Sequence, residues 1–348
     1  MMESLEYRQS FVPLIRVFYV FLSGLVIAFG GSVGPSGPVV QLGAVIGSKF
    51  GGFFRLTQGQ LETLVRAGAA AGVAAAFRSP AGAAFLAVEV LGARFDRGLV
   101  AISVAAWIGY CLRLATLADA RPFVPASPLA SLPTFTLVVI IPLMGLAAAC
   151  AGCGFIWLFN RTRLAFPQRW PLVVRLAVGG AIVGLMGIWF PQVMSTGWST
   201  IKLGLEGQMG FSLLVLLFAL KMVATSVTFA SGAVGGLFSP ILVIGSLFGG
   251  VFAYGVRSVI PWAVPQPELF VLLGMVAMFG SVAKAYWSGL LVVSDLSGSY
   301  HELLLPGLIA GGISYLISSG INQHSIFGLP LAAVHLEPAA GEARAASA

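Results

Sequence analysis

The chain has 348 residues, of which 58% are apolar and only 9% charged, with a mean hydropathy of +0.97. So few charges cannot cover a water-facing surface, which excludes a soluble enzyme or binding module and makes the lipid bilayer the solvent. The net charge of +7 is scattered between apolar runs and not gathered into a stripe, so nucleic acid is excluded as a partner.

In chain order, the opening "MMESLEYRQSFVPLIR" lacks a basic region followed by a cleavage site, so the apolar run Phe11 to Gly30 is read as a retained span. "GGSVGPSGPVVQLG" from Gly30 then breaks the apolar pattern with glycines and prolines. Further runs cover Val100 to Ala115, Thr134 to Phe159, Leu172 to Phe190, Phe211 to Phe229, Pro240 to Tyr254 and Leu303 to Ser318, with shorter ones between. Their lengths predict an all-α polytopic membrane protein; the alternation of a β-barrel is not seen. The segment "NRTRLAFPQRWPLVVR", Asn160 to Arg175, carries four arginines and no acid, which places it in the cytoplasm together with "GARFDRG" around Arg94 and Arg97. The proline-rich "DARPFVPASPLASLP" between those spans is then external. Cys111, Cys150 and Cys153 lie in apolar helices as small packing residues.

The second half repeats the first. "SGAVGGLFSPILVIGSLFGG" from Ser231 follows the order of "GSVGPSGPVVQLGAVIGSKFGG" from Gly31, and "GMVAMFGSVAKAYWSGLLVVSDL" from Gly274 follows "GVAAAFRSPAGAAFLAVEV" from Gly72. The second pair ends in an acid each time, Asp295 and Glu89. A duplicated unit with a broken helix at the matching place in each half points to a substrate site near the midplane. Pro38 and Pro240 mark the first turns of new helices, and the residues before them present N–H groups with no intrahelical acceptor. Each helix start carries about half a positive charge, so two converging starts would hold an anion without a full cation. No metal cluster, phosphate loop or nucleophile with a partner base occurs; no cofactor and no catalysis are expected, and His301, His324 and His335 are isolated in the sequence.

At these residues the chain resembles the CLC family of chloride channels and proton-coupled chloride exchangers. "GSVGPSGP" is similar to that family's GSxGxEGP motif and "GLFSP", Gly236 to Pro240, to its second anion motif. "FRSPAGAAFLAVEV", "VVSDLSGSYHELLLP" and "HSIFGLP" resemble further family segments, the last at the start of a final helix. The resemblance implies an inverted repeat whose broken helices meet at a midplane anion site. It also implies a homodimer with one pore per subunit, set in the plasma membrane of a prokaryote, with chloride or a similar small anion as cargo. It places the anion on the amides of Leu237 and Phe238, with Ser36 and Gly37 lining the neighbouring site and Gly34, Pro38, Gly236 and Pro240 as motif positions. Phe327 falls where most members have a tyrosine whose hydroxyl faces chloride.

Three departures shape the functional expectation. The gate position of the family, a glutamate, is Ser36, which can neither compete for the anion site nor carry a proton near pH 7. The inner proton-relay position is Val90, directly after Glu89, so the usual buried acids of a proton route are replaced at both places. No GSGIP-type segment precedes Gly30, so the first half is read as short. Glu89 itself is read as a helix-end acid that snorkels or pairs with Arg94 or Arg97, with a residual proton or anion-entry role as the alternative, and Lys221 and Lys284 as interfacial anchors or as charges that shape the anion path. The expectation is a passive chloride pathway without obligatory proton coupling, built from a first repeat half over 1–170, a second over 171–336 and a disordered tail over 337–348. A proton/chloride antiporter using another proton route and a non-conducting truncated subunit are the alternatives.

Overall fold

The structure, a computed structural model, describes residues 15–54, 56–117, 132–167 and 169–328. The proline-rich segment, the tail over 337–348 and the final helix expected after "HSIFGLP" fall largely or wholly outside those residues. Thirteen α-helices are described: α1 (Ile15–Ala28), α2 (Ser36–Phe53), α3 (Gln58–Phe77), α4 (Pro80–Glu89), α5 (Arg97–Thr116), α6 (Ile141–Ala165), α7 (Leu172–Trp189), α8 (Trp198–Leu205), α9 (Phe211–Ala230), α10 (Phe238–Val259), α11 (Pro267–Ala283), α12 (Tyr286–Ser297) and α13 (Tyr300–Ile321). A π-helical turn, Thr136–Ile140, leads into α6. Six of these segments are long and apolar enough to cross a membrane: α5, α6 with its π turn, α7, α9, α10 and α13. With the family assignment given below, this makes the chain an integral membrane protein.

Helix boundaries follow from local chemistry. Thr57 and Gln60 form a capping box before α3, with the Thr57 N–H donating to Gln60 Oε1 at 3.0 Å. Asp96 caps α5 by accepting from the Gly98 N–H at 2.8 Å, and Ser79 caps α4 by accepting from the Gly82 N–H at 3.2 Å.

The helices repeat in packing as well as in order. α2 lies on α3 and α3 on α5; α10 lies on α11 and α11 on α13 in the same way. Both pairs close through facing glycines. A Cβ on Gly43 or Gly68 would strike the other's carbonyl across α2 and α3, and Gly245 and Gly274 face each other identically across α10 and α11. α3 and α11 then end in the same unusual way, on non-glycine residues in the left-handed region, Arg78 (φ 55) and Lys284 (φ 58). These two features correct the sequence pairing by one helical turn: Gly68, not Gly72, is the counterpart of Gly274. A shift of four residues keeps every apolar face in place, so the pattern by itself could not exclude it.

The matched helices are thus α1–α5 and α9–α13, with α6, α7 and α8 between them in the chain. Cysteine does not serve the close packing expected of it. Cys111 and Cys150 are exposed and Cys153 is half-buried; Gly152 makes the tight contact of α6, against Ser281.

Candidate functional site: two helix starts that meet

Gly30 and Gly232, both in the left-handed region (φ 87 and 91), turn the chain at equivalent points after α1 and α9. Four residues later the two copies of the motif touch. The Gly34 N–H donates to the Gly236 carbonyl at 2.8 Å and the Gly236 N–H to the Gly34 carbonyl at 2.7 Å, an isolated antiparallel bridge between residues roughly 200 positions apart. Glycine is required on both sides: a Cβ on Gly34 would lie 2.6 Å from Ser239 Oγ, and one on Gly236 would overlap Ser36 Oγ and the Gly37 amide nitrogen.

Immediately beyond the bridge α2 and α10 begin. Their first helical bonds run from Val39 N–H to the Pro35 carbonyl (3.1 Å) and from Ile241 N–H to the Leu237 carbonyl (3.0 Å). The amides of Ser36 and Gly37 in one copy, and of Leu237, Phe238 and Ser239 in the other, precede those bonds and find no acceptor among the described residues. Pro38 and Pro240 occupy the third helical position of each, where a missing N–H costs nothing. Two positive helix ends, each equivalent to about half a charge, therefore converge on one place. The enclosure is apolar. Phe238, 4% exposed, has its ring 4.2 Å from that of Phe77 and 4.4 Å from that of Phe279, and Phe77 in turn lies 6.2 Å from Trp198. Free donors in such surroundings interact strongly with an anion.

Phe327 is half-buried near the end of α11, held there by Ile326 N–H donating to the Val282 carbonyl (3.0 Å) and Ser325 Oγ to the Ala283 carbonyl (2.8 Å). Val90 is the C-cap of α4, half-buried against the core. Glu89 does not pair with Arg94 or Arg97 as expected. Its carboxylate accepts from the Trp287 N–H (3.1 Å), the Ser288 N–H (2.8 Å) and the Ser288 hydroxyl, and so caps α12 of the other half. Four apolar residues between an acid and an arginine gave no hint that an unpaired helix start lay closer. Lys221 is fully buried, not interfacial; its Nζ donates to the carbonyls of Val193 (2.8 Å) and Ser195 (3.0 Å) and fixes the strand of chain leading to α8. Lys284 donates to Ser318 Oγ at 2.7 Å. No cluster of metal-ligating side chains occurs among the described residues.

Sequence reasoning missed Ser239. Its hydroxyl and that of Ser36 are both buried without a hydrogen-bond partner among the described residues. The signal was available, since "GPSGP" and "GLFSP" each carry a serine in the first two helical positions, displaced by one between copies.

Residues 1–319 match the family described as voltage gated chloride channel. A ClcB-like chloride channel protein of Ralstonia nicotianae is 33% identical over 319 residues, 88% of this chain and 72% of that protein. The H(+)/Cl(-) exchange transporter ClcA of Salmonella paratyphi A is 28% identical over 301 residues, and the chain spans 63% of its length. Among solved structures, a CLC-type fluoride/proton antiporter superposes with a TM-score of 0.78 at 25% identity, covering 95% of this chain and 80% of that one. A slow cyanobacterial Cl-/H+ antiporter superposes with a TM-score of 0.77 at 24% identity, covering 88% and 73%. The chain belongs to the voltage gated chloride channel family and has its fold, an inverted repeat whose broken helices meet inside the bundle.

Proposed function

We propose that this family member is a passive pathway for chloride or a similar small anion, without obligatory proton coupling, working as a homodimer in a prokaryotic plasma membrane. The observation that carries the reading is the meeting of α2 and α10 at the Gly34–Gly236 bridge with free amides on both sides and a serine, not a carboxylate, between them. Leu237 and Phe238 bind the anion through backbone N–H groups; Ser36 and Gly37 line the adjoining position. Backbone donors attract an anion without holding it as a buried cation would, which suits an ion that must leave as readily as it enters. Ser36 has no proton to exchange near neutral pH, and Val90 supplies no inner relay, so the two usual stations of a proton route are apolar or neutral here.

The test is reconstitution of the full chain in liposomes with simultaneous chloride and proton measurements. Chloride efflux driven by a potassium diffusion potential, with no proton movement tied to it, is the expected result. Uphill proton transport driven by a chloride gradient would overturn the uncoupled reading in favour of exchange. That second reading is favoured by the named exchange transporters and antiporters among the similar proteins. Absence of any anion flux would overturn both in favour of a non-conducting subunit.

A further inference from the structure

We infer that the Ser239 hydroxyl is an anion ligand of this chain, placed across the glycine bridge from Ser36, and that the two hydroxyls bias the site toward small, charge-dense halides. The inference rests on the anion pathway proposed above.

Ser239 Oγ is completely buried and has no hydrogen-bond partner among the described residues. Buried hydroxyls inside helices commonly satisfy themselves by donating back one turn, and three of α9 and α10 do so: Ser226 to the Met222 carbonyl, Thr228 to Ala224 and Ser246 to Val243, at 2.7 to 2.8 Å, while Thr225 pairs with Ser32 Oγ. Ser239, the second residue of α10, makes no such bond; the carbonyl three residues before it, that of Gly236, belongs to the bridge and accepts from the Gly34 N–H. Ser36 is orphaned in the same way at the start of α2. The two hydroxyls lie on opposite sides of the glycine bridge, Ser239 Oγ against Gly34 and Ser36 Oγ against Gly236. The pseudo-twofold relation of the two motifs matches Ser239 with Gly37 and Ser36 with Phe238, so the two hydroxyls are not strict equivalents, yet each faces the motif glycine of the opposite half.

What gathers at the bridge is a set of donors: two hydroxyls and the free amides of both helix starts. The ligand chemistry that answers unpaired donors of this kind is an anion. Hydroxyl donors are directional, and their hydrogen bonds strengthen as the anion becomes smaller and its charge denser, whereas the field of the helix ends acts on any monovalent anion. Removing a hydroxyl should therefore cost chloride more than iodide.

The test is calorimetric titration of the purified full chain with chloride and with iodide. Ser239→Ala is expected to weaken chloride binding roughly tenfold, the size of one hydrogen bond to a charged group, and to weaken iodide less, so that the chloride-to-iodide preference falls. Ser239→Cys keeps the side-chain shape with a poor donor, and should follow Ser239→Ala. Ser314→Ala removes another buried, unpartnered hydroxyl, in α13, and should leave both titrations unchanged. Chloride affinity retained in Ser239→Ala, equal losses for the two halides, or wild-type behaviour of Ser239→Cys would each overturn the inference while leaving the anion pathway standing. A wild-type chain that neither binds nor passes any halide would overturn the pathway itself, and the inference with it.

Discussion

The two helix starts are equivalent in sequence and in backbone, yet their surroundings differ sharply. α10 is enclosed by neighbours, every residue from Phe238 to Gly250 being buried, and its first residue, Phe238, is clamped between Phe77 of the first half and Phe279 of the second. α2 buries one face on α3 and leaves Ile46, Phe50 and Phe53 exposed, and its first residue is the small Ser36. The difference teaches that duplication fixes where the donors point but not how far each set is enclosed. The second half holds its free amides on an enclosed helix. The first half holds its own on a less enclosed helix, and in the pathway proposed above the side chain at its tip, Ser36, is what leaves the place free for an ion.

The largest effect should come from removing a donor on the enclosed side. Phe238→Pro deletes one free N–H at a helical position where proline is tolerated, while Phe238→Leu keeps it. Titration calorimetry should show chloride affinity lower by roughly ten- to a hundredfold in Phe238→Pro than in Phe238→Leu. Equal affinities would break the assignment of the anion's amide donors to α10.

Next is Ser36→Glu, which places a tethered carboxylate at the open side. It competes for the same helix ends, and chloride flux at neutral pH should fall by on the order of tenfold. Protonation removes the competing charge, so flux should recover as pH falls through the pKa of the introduced carboxyl, and desolvation against the helix ends sets that midpoint. Flux insensitive to both the substitution and pH would remove Ser36 from the anion path.

The glycine bridge sharpens the comparison further. An alanine at Gly34 overlaps the Ser239 side chain and comes only into ordinary contact with backbone, the Gly236 carbonyl at 3.4 Å, whereas one at Gly236 overlaps backbone, the Gly37 nitrogen at 2.3 Å, as well as Ser36 Oγ. Both overpack the bridge, at about 1–3 kcal/mol, and Gly236→Ala should sit at the upper end. Thermal unfolding in detergent should therefore show the larger drop for Gly236→Ala; the reverse order would contradict the geometry of the bridge.

The smallest expected effect concerns the caps between halves. Glu89 accepts three hydrogen bonds at the start of α12, two of them from backbone N–H groups, whereas its counterpart Asp295 is engaged by the side chains of Tyr300 and Ser79 and by no backbone N–H among the described residues. Glu89→Ala should lower stability by about 1–2 kcal/mol, the range of a lost N-cap, and Asp295→Ala by less. Because Glu89 lies outside the proposed path, chloride affinity of the folded variant should be unchanged.

Much of this architecture was legible in the sequence. Apolar runs of span length, the paired glycine breaks and prolines at the third position of each new helix depend on local rules of backbone conformation, and those rules act the same way in both copies. The meeting of the two breaks followed from the repeat as an expectation. That they join through a two-bond bridge at Gly34 and Gly236 required the structure, because contact between residues so far apart depends on how α1, α2, α9 and α10 pack. The exact register of α3 against α11 was likewise undetermined, since a one-turn slip preserves the apolar face and only the left-handed caps Arg78 and Lys284 and the facing glycines choose between alternatives. Glu89, Lys221 and Ser239 were misread or missed for one common reason. A polar group in a membrane protein is defined by its partner, and the partners here, the start of α12, the carbonyls of Val193 and Ser195, and the opposite motif glycine, come from distant parts of the chain that only tertiary packing brings within hydrogen-bond or van der Waals reach.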